Sequence, residues 1–68
     1  MKITVNGQLK EIPEKHRLQD IVEFFCPDTK TIVAEVNGQI IQGPQWIKID
    51  IHEGDIIELV TFMGGGRS

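Results

Sequence analysis

Sixty-eight residues, 40% apolar and 25% charged, suffice for one small domain close to the lower limit at which a chain folds without metals or disulfides. A formal charge of −3 and dispersed lysines and arginines exclude the clustered cationic surface that grips phosphate backbones, so no nucleic-acid partner is expected. A single cysteine, Cys26, excludes an internal disulfide and a multi-cysteine zinc site, and the absence of a basic leader or membrane-length apolar run makes a cytoplasmic protein with no membrane partner the expectation.

Lys2-Ile3-Thr4-Val5 alternates polar and apolar side chains and runs into Asn6-Gly7. Asn-Gly between extended runs marks a β-hairpin, because a type I′ turn needs positive φ at both central residues. The return strand is expected over Gln8–Ile12, where Pro13 ends it by removing a ladder donor. Leu18, Ile21, Val22 and Phe25 then fall at i, i+3, i+4 and i+7, one stripe of a helix of about two turns. Gln19, Asp20 and Glu23 take its other side, and Pro27 forbids continuation. The helix start is poorly signed, since His16-Arg17 is a weak capping pair.

Thr31–Val36 is a second β-rich run, Asn37-Gly38 repeats the hairpin signal, and Gln39-Ile40-Ile41 returns until Gly43-Pro44 breaks the strand. Gln45–Ile51 reads as irregular, with Trp46, Ile47, Ile49 and Ile51 available to close the core. His52-Glu53-Gly54-Asp55 reads as a turn and Ile56–Phe62 as the last and most apolar strand. The expected fold is therefore α+β, with one main helix packed on one face of a mixed sheet of about four to five strands. The domain is expected over residues 1–62, and residues 63–68 form a flexible C-terminal tail.

Alternation along the last strand divides the sheet. With Ile57 and Leu59 toward the helix, Ile56, Glu58, Val60 and Phe62 face away, and Glu35 outward takes Val33 with it. That outer face exposes Val33, Val60 and Phe62 around Glu35 and Glu58. Scattered exposed apolar residues are normal on any surface. A connected patch with carboxylates beside a tail also makes a partner-docking face.

Side-chain chemistry is sparse. His16 and His52 lack carboxylate or cysteine neighbours at metal-ligand spacing and read as solvated, so no metal is expected. Cys26, between Phe25 and Pro27, reads as a small buried hydrophobe. Asp50, Glu53 and Asp55 lack the ligand spacing of a calcium loop. No catalytic side-chain set emerges. The remaining reactive group is a main-chain carboxylate at the end of Met63-Gly64-Gly65-Gly66-Arg67-Ser68. Glycines without a Cβ pass a narrow channel and accept any backbone angle it imposes, and an extended Met63–Gly66 reaches about 13 Å beyond the last strand. Terminal glycines are equally the mark of a plain flexible end.

Asn6-Gly7 after the first strand, Val33-Ala34-Glu35-Val36-Asn37-Gly38, Pro44-Gln45-Trp46, Glu53-Gly54-Asp55 and Phe62-Met63-Gly64-Gly65-Gly66 occur in an order that runs through nearly the whole chain. In these stretches the sequence resembles the ThiS-type sulfur carriers of the β-grasp, ubiquitin-like superfamily, which are related to the molybdopterin-synthase small subunit. The resemblance implies a β-grasp fold and a non-enzymatic protein cosubstrate whose C-terminal glycine is adenylated by an E1-like enzyme. That glycine becomes a thiocarboxylate, a 1-thioglycine, and gives its sulfur to thiazole synthase in thiamine biosynthesis. No cofactor is held permanently; ATP is consumed by the activating partner, and a cysteine desulfurase is the type of sulfur donor implied.

By position the modified residue is Gly66, with Gly64 and Gly65 as the threading tail. The family typically ends at the diglycine, whereas Arg67-Ser68 follow here, either as a cloning remnant or as a natural extension cut by a C-terminal processing protease. Sulfur carriage for molybdopterin or cysteine, a ubiquitin-like modifier or binding module, and a small redox protein using Cys26 are the rival expectations.

Overall fold

The computed structural model describes residues 1–14, 16–26 and 30–61. Strands β1 (Lys2–Val5) and β2 (Gln8–Glu11) precede helix α1 (Leu18–Phe25), followed by β3 (Ile32–Val36) and β4 (Gln39–Ile41). A 3-10 helix over Gly43–Lys48 and strand β5 (Ile56–Thr61) complete the order.

Both Asn-Gly pairs make the turns their sequence demands. Asn6 and Gly7 have φ of 51° and 81°, and Asn37 and Gly38 have 51° and 88°. Asparagine and glycine are the residues that enter this left-handed region at least cost. The turns close β1 on β2 with Val5 opposite Gln8, and β3 on β4 with Val36 opposite Gln39.

The five strands form one sheet in the order β2-β1-β5-β3-β4. The last strand thus inserts between the two hairpins, parallel to β1 and antiparallel to β3. A parallel β1–β5 pair beside antiparallel ones makes the sheet mixed. The helical residues Leu18, Ile21 and Val22 are buried, as are Ile3 and Val5 of β1, Ala34 of β3, and Ile57 and Leu59 of β5. One face of the sheet is therefore covered and the other is open.

Three local features depart from sequence expectation. The helix start is better fastened than His16-Arg17 suggests. The Arg17 N–H donates to Asp20 Oδ2 at 2.9 Å, so the third helical residue caps the entry in place of the missing Ser or Thr. Tertiary bonds complete the entry: Leu18 N–H donates to the Ile49 carbonyl at 2.8 Å, and Ile51 N–H to the His16 carbonyl at 2.9 Å.

The segment expected to be irregular contains a 3-10 helix, entered through Pro44 near its first turn. With about three residues per turn, its side chains superpose at i and i+3. Trp46 and Ile49 consequently share the inward side: Trp46 is buried and Ile49 half-buried. Ile47 points out and is 49% exposed, so it does not close the core as expected. The indole of Trp46 donates from Nε1 to the Ile41 carbonyl at 2.9 Å, which ties the 3-10 helix to the end of β4. Thirdly, β2 stops at Glu11 rather than Ile12, although the Ile12 N–H still bonds the Met1 carbonyl at 2.9 Å and its side chain is buried.

Candidate functional site

Strand β5 is the structural centre of the site, because it carries the chain toward the glycines. It is held on both flanks by asparagine side chains as well as by backbone. On the β1 side, the Asn6 N–H donates to the Ile57 carbonyl at 2.9 Å. The Asn6 amide then continues the ladder: Nδ2 donates to the Leu59 carbonyl at 3.2 Å and Oδ1 accepts from the Leu59 N–H at 2.8 Å. A primary amide has the donor and acceptor of a peptide unit, so Asn6 substitutes for a residue β1 no longer provides after it turns away.

On the β3 side, Asn37 N–H donates to the Ile56 carbonyl at 2.7 Å, while Asn37 Oδ1 accepts from the Ile56 N–H at 2.9 Å. Asn37 Nδ2 also donates to Asp55 Oδ1 at 3.0 Å, and Asp55 Oδ2 accepts from the His52 N–H at 2.8 Å. The turn before β5, with Gly54 at φ 85°, is thereby locked to the turn that joins β3 and β4.

The open face of the sheet consists of three transverse rows. Leu9, Thr4 and Ile56 lie across β2, β1 and β5. Ile40, Glu35 and Glu58 lie across β4, β3 and β5. Val33 and Val60 face each other across β3 and β5. Leu9 is 69% exposed, Ile40 62%, Val60 55%, Ile56 52% and Val33 37%, so exposed apolar side chains flank the two carboxylates on this face. Glu58 is exposed and Glu35 half-buried. The two carboxylates stand directly opposite one another, with Cβ atoms about 5 Å apart, between apolar rows on either side. The ion pairs described elsewhere, Arg17–Asp50 at 3.6 Å and His52–Asp55 at 3.9 Å, leave both without a described cation.

Val33, Glu35, Glu58 and Val60 thus share one face, as alternation predicts. Leu9 and Ile40 enlarge it. Their contribution was hidden because neither short strand shows which way it faces until its partner's register is known. Phe62, together with Gly64, Gly65 and Gly66, lies outside the described residues. Thr61, opposite Ile32, is the last described residue of β5, one step past the Val33–Val60 row.

The remaining candidates are less productive. His16 is half-buried and His52 exposed; with Met1, Glu14, Arg17 and Asp50 they line an open depression of about 530 Å³. No group of three or more His, Cys, Asp or Glu among the described residues is arranged to hold a metal. Cys26 is half-buried and packs against the core beside Phe25, and no helix among the described residues is long and apolar enough to cross a membrane.

A strand-ordered mixed sheet with one covering helix, and a final central strand leading to three glycines, coincides with a family model described as "ThiS family", matched over residues 3–66. The chain belongs to the ThiS family. The sulfur carrier protein ThiS of Bacillus subtilis is 31% identical over 65 residues, covering 94% of this chain and 98% of that protein. A crystal structure of the thiamine biosynthesis protein ThiS from Geobacter metallireducens superposes with a TM-score of 0.85 at 25% identity, covering 97% of this chain and all of that one. The β-grasp fold expected of a ThiS-type chain is thus the fold found. A thiazole synthase of Paramagnetospirillum magneticum is 24% identical over 66 residues; the match covers 97% of this chain but spans only 20% of that relative's length. A ThiS-like unit is therefore one part of that longer protein.

Proposed function

We propose that this protein carries sulfur as a thiocarboxylate on its own C-terminal glycine. Once Arg67-Ser68 are absent, Gly66 carries the terminal carboxylate. An E1-like enzyme adenylates it with ATP, releasing pyrophosphate and turning a poor acyl donor into a mixed anhydride. The outer sulfur of a persulfide on a donor such as a cysteine desulfurase attacks the anhydride and displaces AMP. A thiol reductant then cleaves the resulting acyl disulfide, leaving the outer sulfur on the Gly66 carbonyl and the donor cysteine as a thiol. The resulting thiocarboxylate is delivered to thiazole synthase for thiazole formation.

The observation that carries the reading is the family match itself, which extends through the glycine triplet to Gly66 and leaves Arg67 and Ser68 outside. Two features support it. The thiazole synthase that contains a ThiS-like unit supports thiazole synthase as the acceptor in preference to molybdopterin or cysteine pathways. The Val33–Val60 row lies one residue before Thr61, the last described residue of β5, so an activating enzyme gripping Val33, Val60 and Ile56 holds the domain close in sequence to the glycines that follow. In this division of labour the folded domain supplies recognition and the glycines supply the reacting group and a path to it.

The test is intact-mass spectrometry of the full chain and of a form ending at Gly66, each incubated with ATP, the cognate E1-like enzyme, a sulfur donor and a thiol reductant. The expected result is replacement of one oxygen by sulfur on the trimmed form alone. An unchanged mass on that form refutes the proposal. Adducts on lysine amines would instead establish a modifier.

A further inference from the structure

Resting on the carrier reading, we infer that the opposed carboxylates Glu35 and Glu58 form a receptor for one basic side chain, an arginine, on the docking surface of the activating enzyme. The argument begins with position. Glu35 and Glu58 are direct partners across β3 and β5, and Ile40 extends the same row. Val33 and Val60 form the row on one side, and Ile56 stands on the other. A partner that covers the exposed Val60, Ile56 and Ile40 cannot avoid covering the carboxylates between them.

Burying an ionised carboxylate without a counter-charge is prohibitive, and like charges directly opposite each other in a sheet already repel. Neither glutamate has a described cationic partner within the chain. With no described cation of this chain beside them, the positive charge is assigned to the partner. Arginine fits better than lysine, because a planar guanidinium presents several N–H donors in a fixed fork and can bond at once two carboxylates whose Cβ atoms lie about 5 Å apart. The same electrostatics reject a second copy of this chain, since a two-fold contact through this face would bring four carboxylates together around an apolar surface. Glu35 and Glu58 thus select the partner, while the apolar rows provide the contact area.

The test compares the wild-type full chain with Glu35→Gln, Glu58→Gln and the double variant, in binding to the cognate activating enzyme at low and high salt, alongside thermal melts. Each single variant is expected to bind about tenfold more weakly at low salt, and the double variant to lose most of the salt dependence. All three are expected to melt at or above the wild-type temperature, because removing the repulsion relieves the sheet. Affinities within about twofold of wild type would overturn the inference. So would a melting temperature that falls in step with affinity, which would make the pair structural. If the wild-type protein fails to bind the enzyme and the form ending at Gly66 takes up no sulfur, the carrier reading falls and this inference with it. Sulfur uptake combined with unchanged variant affinities removes the receptor alone.

Discussion

The amide of Asn6 offers the sharpest test of how the carrier strand is held. Replacing Asn6 with alanine removes two hydrogen bonds to Leu59, at 2.8 and 3.2 Å, in a part-buried position. Each contributes about 1 kcal/mol net, and Leu59 keeps no protein substitute for either. Alanine at φ 51° adds about 1 kcal/mol of left-handed strain that asparagine tolerates. The sum is about 3 kcal/mol, against about 3–10 kcal/mol of total stability for a domain of this length. For so small a domain that corresponds to a fall of about 12–24 °C in Tm.

Urea titration followed by Trp46 fluorescence, with circular dichroism as a second probe, measures the loss directly. The Asn6→Asp variant retains the acceptor for the Leu59 N–H and the tolerance for positive φ, so it should lose only about 1–2 kcal/mol. A loss below about 1 kcal/mol for Asn6→Ala would refute the reasoning, since water would then replace the amide at no cost.

Three further outcomes follow from the same geometry. Val60→Asp, at a side chain 55% exposed, should change stability by less than about 1 kcal/mol yet weaken capture by the activating enzyme in a pull-down or calorimetric titration. A collapse in Tm would instead mean that Val60 is core. Trp46→Phe should cost about 1–3 kcal/mol in denaturant unfolding, from the lost bond to the Ile41 carbonyl and the space left beside the 3-10 helix. Gly54→Ala meets no atom within 4 Å, so its cost should be the backbone strain at φ 85° alone, about 1–2 kcal/mol by thermal melt.

Much of this protein was legible in the chain because its signals are local. Asn6-Gly7 and Asn37-Gly38 specify type I′ turns through φ alone, and the stripe from Leu18 to Phe25 with Pro27 behind it bounds the helix to the residue. Period-two alternation was enough to place Ile57 and Leu59 inward and Glu58 and Val60 outward, since a strand offers only two faces. The family resemblance pointed to Gly66, which lies beyond the described residues.

What needed the tertiary structure was everything that depends on pairing between distant segments. No local signal says that β5 enters between the hairpins, that two turn asparagines use their side chains to hold it, or that Leu9 and Ile40 join the open face. The helix start shows the same limit in part: the capping Asp20 lies only three residues past Arg17, but the Ile49 carbonyl that takes the Leu18 N–H and the Asp50 carboxylate that pairs with Arg17 lie more than thirty residues away. The chain by itself determined its turns, its helix and the facing of its last strand, because sterics and periodicity act over a few residues. Only the fold decided that Glu35 stands against Glu58, because strand register is fixed by the burial of one whole face at once.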